Sequence, residues 1–241
     1  MDNEVGIASE GAGAVFSGRH DRRRVTDWVY EEVRQAIIEL KLKPGEALRE
    51  AAIAQQLGVS KTPVREALAR LEQEGLVETT SFKGAVVSGY SPEDLQEIYE
   101  LRELLEGAAA RAAATWASDE TLARLAALVA ESRELGAKDD LEGLAVLLGA
   151  FDLVIFEQVT NERIRALIEN LKAHLTRIGR LTEDIPGRVK ASVEEHAVIV
   201  EAIGAHDGDE AERCMRRHIR SVLSDQLKAV EARSVAASDT A

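Results

Sequence analysis

The stretch Leu57-Gly58-Val59-Ser60-Lys61-Thr62-Pro63-Val64-Arg65-Glu66-Ala67-Leu68 decides how the rest of the chain is read. Gly58 closes one helix, as a left-handed residue does just past a helix C-terminus. Two residues later Ser60 can cap the next helix. Pro63 then falls in a first turn, where a missing amide breaks no intrahelical bond. Val64, Ala67, Leu68 and Leu71 recur at helical spacing and give this helix a buried side. Ser60, Lys61, Thr62 and Arg65 remain at its start, on the other side. Free amides and the helix dipole favour phosphate there, and an arginine can pair with guanine O6 and N7.

Working outward, Val29, Val33, Ile37 and Leu40 repeat at helical spacing behind Thr26, a candidate cap, and Lys43-Pro44-Gly45 is a stop. A short second helix is predicted over 49–57, with Ile53 and Leu57 inward. Gly75 ends the third helix, and β-prone runs at 76–79 and 85–88 flank Ser81-Phe82-Lys83-Gly84, a glycine-assisted hairpin turn. Three helices and a hairpin over residues 25–89 describe a winged helix-turn-helix, with the third helix presented to a major groove and the hairpin beside it. Residues 1–24 show no periodicity and read as a flexible arm ending in Arg19, His20, Asp21, Arg22, Arg23 and Arg24. That run reads as solvated charge rather than as a phosphate-contacting arm.

Ser91-Pro92-Glu93-Asp94 opens the second part with a cap, a first-turn proline and an acidic residue three after the cap. Only helices are expected from there, at 91–117, 119–136, 140–159, 161–183, 187–206 and 208–233. Short connections make residues 90–233 an antiparallel all-α bundle, with 234–241 a disordered tail. The fold class is therefore mainly α. Composition agrees: of 241 residues 45% are hydrophobic, only 4% are aromatic and four are proline. A single cysteine, Cys214, excludes an intrachain disulfide framework. No apolar run is long enough for a bilayer and no signal-peptide core precedes Arg19, so a cytoplasmic location is expected. A net charge of −13 argues at first sight against nucleic acid. The acidity is uneven, however. Residues 19–88 hold 12 Lys and Arg against 11 Asp and Glu, whereas 89–241 hold 18 against 29. A near-neutral segment can still show a basic face to phosphates.

The bundle carries a second pattern. Leu141, Leu144, Leu148, Phe151 and Ile155 form an apolar stripe with Asp152 at its edge. The stripe Ile164, Leu167, Leu171, Ile178 and Leu181 contains His174. Val189, Val193, Val200 and Ile203 flank His196, and Ala211, Met215 and Val222 flank His218. A lone histidine on such a face is usually a hydrogen-bonded core residue. Three histidines and a carboxylate turned toward one axis point instead to a divalent metal such as Zn, Ni or Mn, because a buried carboxylate costs several kcal/mol unless paired. Arg102, on the face of Leu95 and Ile98, could clamp a ligand carboxylate. Alternatively it pairs with Glu106 one turn on, worth about 0.3–0.5 kcal/mol at a surface.

Residues 29–31, Lys43-Pro44-Gly45, Leu48-Arg49-Glu50, LGVSKTPVREAL at 57–68 and Leu71-Glu72-Gln73-Glu74-Gly75-Leu76-Val77 resemble the GntR family of bacterial transcription regulators. SPEDLQEIYELRELLEGAAARAAA at 91–114 is similar to the start of the helical effector domain, FCD, of its FadR subfamily. The resemblance implies a homodimer on a near-palindromic operator, retuned by a small carboxylate metabolite. It places DNA contacts at Arg49, Ser60, Lys61, Thr62, Arg65, Lys83 and Gly84. Lys61 stands where the family usually has arginine, and Thr79 and Thr80 stand where basic wing residues are common. Many FCD domains hold a divalent metal with an Asp and a His four apart plus two later histidines. His196 and His218 match the later pair, but Leu148 and Asp152 occupy the first two positions. The expected shell is therefore Asp152, His196 and His218, with His174 a fourth ligand or an effector contact beside Arg102. The opposing expectation is a metal-free pocket in which these residues meet the effector directly. Two other functions are weighed against this one: a metal-dependent hydrolase using the Asp152/His cluster to activate water, and a helical dimerisation module whose DNA-binding part has decayed.

Overall fold

The computed structural model describes residues 20–80, 84–181, 185 and 187–238. They fall into two compact units, one covering residues up to 37 and 41–88, the other covering 38–40 and 89 onward.

In the first unit, α1 (His20–Ile38), α2 (Glu50–Leu57) and α3 (Lys61–Gln73) precede an antiparallel hairpin of β1 (Val77–Thr80) and β2 (Gly84–Val87). Helix α1 starts earlier than the expected cap at Thr26, so residues 20–24 of the supposed arm are helical. Thr26 lies inside the helix and its hydroxyl donates to Glu66 at 2.9 Å, tying α1 to α3. The helix also ends earlier than Lys43-Pro44-Gly45, because Leu40 takes φ +58°. Two further ties fix α3 against α1: Tyr30 donates to Glu74 at 2.7 Å, and the Arg70 guanidinium lies 3.8 Å over the Tyr30 ring. Val29, Val33, Ile37, Val64, Leu71 and Leu76 close the core between them. Residues 45–48 run along β2, with Leu48 N–H donating to Ala85 and Val87 N–H to Glu46, which stiffens the wing.

The regular elements among the described residues of the second unit are all helices: α4 (Pro92–Trp116), α5 (Asp119–Ala137), α6 (Leu141–Phe156), α7 (Glu162–Leu181), α8 (Arg188–Gly204) and α9 (Gly208–Ser238). Ser91 and Asp94 form the full reciprocal capping box at the start of α4. The longest helices, α4 and α9, make the most extensive contact, and α6 and α8 complete the centre. Ala109, Ala110, Ala113 and Ala114 let α4 lie in the middle of this packing, surrounded by Phe151, Ile155, Ile199, Ile203, Met215 and Ile219. Helix α9 continues to Ser238, past the expected fraying point at 234, because Ala, Glu and Arg near its end favour helix. Among the described residues no helix is long and apolar enough to cross a membrane.

Candidate nucleic-acid interface and bundle core

Gly58 takes φ +68° and turns the chain from α2 toward α3 in two residues. Ser60 is the N-cap of α3 by backbone geometry, but its side chain makes no capping bond, so the hydroxyl stays available. Ser60, Lys61 and Thr62 are exposed at the first turn of α3, Arg65 one turn on, and Arg49 at the start of α2. Gly84, with φ +74°, is exposed at the head of β2. Lys83 lies outside the described residues. The Arg65 side chain is 70% exposed and is gripped from behind: Nε and Nη2 donate to the two Glu50 oxygens at 3.0 and 2.8 Å. This pair holds the Glu50 carboxyl below its ordinary range and fixes the direction of the guanidinium. The role of Glu50 was not legible beforehand, because α2 and α3 had to be docked before positions 15 apart could meet.

In the bundle, α4 supplies Arg102 and Glu106, both buried. Arg102 Nε donates to Glu106 Oε1 at 2.6 Å. The one-turn pairing was legible, but its burial was not, and burial changes its meaning from a surface ion pair to part of a core. From α6, Asp152 reaches the same group. The residue is half-buried, yet its Oδ1 is closed to solvent. Burial first, then the Glu106 charge, pushes its carboxyl up to about 7, with Arg102 acting in the opposite sense. Burial acts to lower the Arg102 guanidinium, but Glu106, Tyr99 and Asp152 outweigh it and hold it above its ordinary range. From α8, His196 stacks on Phe151 at 4.0 Å, and from α9 His218 meets its edge at 4.8 Å. Burial is the main cause that holds both imidazoles below their usual range, reinforced by the Arg102 charge.

The shell expected of Asp152, His196 and His218, with His174 a fourth ligand or an effector contact, does not assemble among the described residues. Among the described residues no group of three or more His, Cys, Asp or Glu side chains could share one ion. His174, on α7, instead bonds the Tyr90 hydroxyl through Nδ1 at 2.9 Å. His218 Nδ1 is 2.6 Å from Glu195 Oε2, and Leu148 brings no donor. The guanidinium of Arg102 bears on Asp152, His196 and His218 together, so its permanent positive charge opposes a divalent cation among them. The residues present do not fit a bound Zn, Ni or Mn ion.

Two features of this core went unread in the sequence. One is Glu106 as a buried member. The other is Arg188, buried at the start of α8, which bonds Ser221 at 2.7 Å, Asp225 at 2.9 Å and Glu195, and so links α8 to α9 behind His218. The spacing of Arg188, Ser192 and Glu195 puts them on one helix face, a usable signal once a charged helix face is allowed to turn inward.

A winged helix with an exposed, positively charged recognition helix, followed by a bundle with a buried polar centre, defines a class of DNA-binding regulators. Residues 26–87 match the bacterial regulatory proteins of the gntR family, and residues 97–221 match the FCD domain. The chain belongs to the GntR family of transcriptional regulators, in the FCD-bearing branch. It is 34% identical over 88% of its length to an HTH-type transcriptional regulator in an unstable DNA locus of Streptomyces ambofaciens, of which it covers 87%. It is 26% identical to the transcriptional repressor RspR of Escherichia coli K12, covering 82% of this chain and 87% of that one. The structure of E. coli McbR/YncC superposes with a TM-score of 0.67 at 25% identity, over 86% of this chain and 98% of the other.

Proposed function

We propose that the protein is a ligand-responsive transcription regulator that binds a near-palindromic operator as a homodimer in the cytoplasm. A small carboxylate metabolite, held in the helical bundle near Arg102, retunes it. The observation that carries the reading is the exposed start of α3, where Ser60, Lys61, Thr62 and Arg65 stand clear of the packed core. Arg49 and the wing at Gly84 extend that surface. The resemblance adds Lys83, which lies outside the described residues. Dimerisation is supported by apolar side chains left in solvent on α4, where Leu101 and Leu104 are each about half exposed. The bundle supports ligand sensing through the charged groups Arg102 and Glu106 buried at its centre. The hydrolase alternative draws no support from relatives that are named as regulators.

The direct test is a salt-dependent gel shift on DNA flanking the protein's own gene. Wild type should bind, with affinity falling steeply as salt rises. Loss of all binding by Arg65→Ala supports the contact assignment, and unchanged binding refutes it.

A further inference from the structure

The Glu50 pair uses only one edge of the Arg65 guanidinium. Nε and one proton of Nη2 point at the two carboxylate oxygens, at 3.0 and 2.8 Å. The group is planar and carries five N–H donors, so the edge made by Nη1 and the second Nη2 proton forms another fork, turned away from Glu50. Glu50 is the first residue of α2, where a negative charge suits the helix end, and Arg65 lies 15 positions on in the second turn of α3. The docking of the two helices therefore sets the pair. Lys61, Thr62 and Ala69 share the outer face of α3 with Arg65 and are all exposed, and its two neighbours at one turn, Thr62 and Ala69, are short.

An unrestrained arginine beside DNA meets phosphate as readily as base, since phosphates and sugars take most contacts. The carboxylate changes this in two ways. It sets a negative charge behind the guanidinium, which an incoming phosphate must oppose. It also holds the second fork in one direction, which suits two neutral acceptors side by side. In the major groove guanine presents such a pair, O6 and N7, whereas adenine puts a donor beside its N7.

We propose that Glu50 is a positioning residue for base readout: it occupies the Nε edge of Arg65 and leaves the Nη1–Nη2 edge to pair with one guanine of each half-site. This rests on the reading that the start of α3 enters a major groove, and it deepens that reading by naming a base and the residue that selects it.

The test uses the full-length protein and duplexes selected from a randomised pool. The wild-type consensus is substituted one base at a time and titrated by fluorescence anisotropy with wild type, Glu50→Gln, Glu50→Ala, Arg65→Lys and the double variant Glu50→Gln/Arg65→Lys. At one guanine per half-site wild type should prefer guanine over adenine by about 5- to 150-fold. Inosine there keeps O6 and N7 and should bind as guanine does, whereas 7-deazaguanine lacks the N7 acceptor and should lose most of the preference. Glu50→Gln and Glu50→Ala should lose the preference at that position alone, keep it at the others, and bind unrelated duplex no more weakly than wild type. Positions are compared within one protein, so a variant of lower stability remains informative. In the Arg65→Lys background Glu50→Gln should change nothing at that position, because the two residues act there as a unit. A loss spread evenly over all positions overturns the proposal and makes Glu50 a structural residue. An unchanged or sharper guanine preference in Glu50→Gln overturns it too, since the carboxylate then competes with the base. Failure of wild type to enrich any sequence overturns the DNA reading itself.

Discussion

Glu50 holds two of the donors with which Arg65 would read a base, so any guanine edge must share the guanidinium with a carboxylate or take it over. The pair lies in solvent, where its own contribution to stability is small. Its consequence is directional, since a fork held on one side presents its remaining donors in one orientation. Arg65→Lys keeps the charge and loses the fork. It should therefore cost about 1–3 kcal/mol of operator affinity while leaving binding to unrelated DNA nearly unchanged. Fluorescence anisotropy on operator and scrambled duplexes separates the two, and equal losses on both would reduce Arg65 to a phosphate contact. The other residue-scale prediction concerns Asp152. Its carboxyl titrates at about 7 in the fold against an ordinary 3.8, so the folded chain binds the proton more tightly than the unfolded one. Stability from this group is therefore complete below about 4 and is lost as pH climbs through about 7. Asp152→Asn removes that loss. The variant should match wild type near pH 3 and exceed it by at least about 1 kcal/mol at pH 8. Thermal melts of both proteins across this range decide it, and a wild type as stable as the variant at pH 8 contradicts the buried carboxylate pair.

At the scale of elements, the helix-turn-helix was legible because its punctuation is local. Gly58, Ser60 and Pro63 each limit the backbone within two residues, and the apolar spacing of Val64, Ala67, Leu68 and Leu71 allows one docking side. Gly58 needs its φ of +68°, although a Cβ there would meet no atom within 4 Å. Gly58→Ala should thus destabilise the first unit by about 1–2 kcal/mol through strain alone, without a packing defect. A melt unchanged from wild type would show that the turn relaxes. The two ends of α1 were misjudged for the opposite reason. Thr26 carries a good capping side chain, but its hydroxyl is engaged by Glu66 on α3, a partner 40 residues away that no local pattern reveals. The bundle core was half legible. His196 and His218 follow from the apolar stripes around them. Arg188, and Glu106 as a buried member, do not follow, because only the packing of α4, α6, α8 and α9 around one centre turns those faces inward.

At the scale of the whole molecule, sensing and DNA binding must be linked by reciprocity. If a ligand in the bundle changes operator affinity by some factor, operator DNA must change the affinity for that ligand by the same factor, whatever moves in between. Allosteric couplings are typically about 5–150-fold. In the proposed homodimer two half-sites are read together by two copies, with exposed Leu101 and Leu104 on α4 as the apolar surface that a second copy would cover. Leu104→Glu should therefore shift sedimentation toward monomer. It should also lower operator affinity with the binding curve for a single half-site unmoved, because each recognition helix is intact. In the same variant a ligand of the bundle should still bind, since the bundle core lies within one chain, but its effect on DNA should disappear. A variant that remains dimeric removes α4 from the interface. A monomer whose half-site affinity still responds to ligand would show instead that the signal passes within one chain and that pairing serves affinity alone.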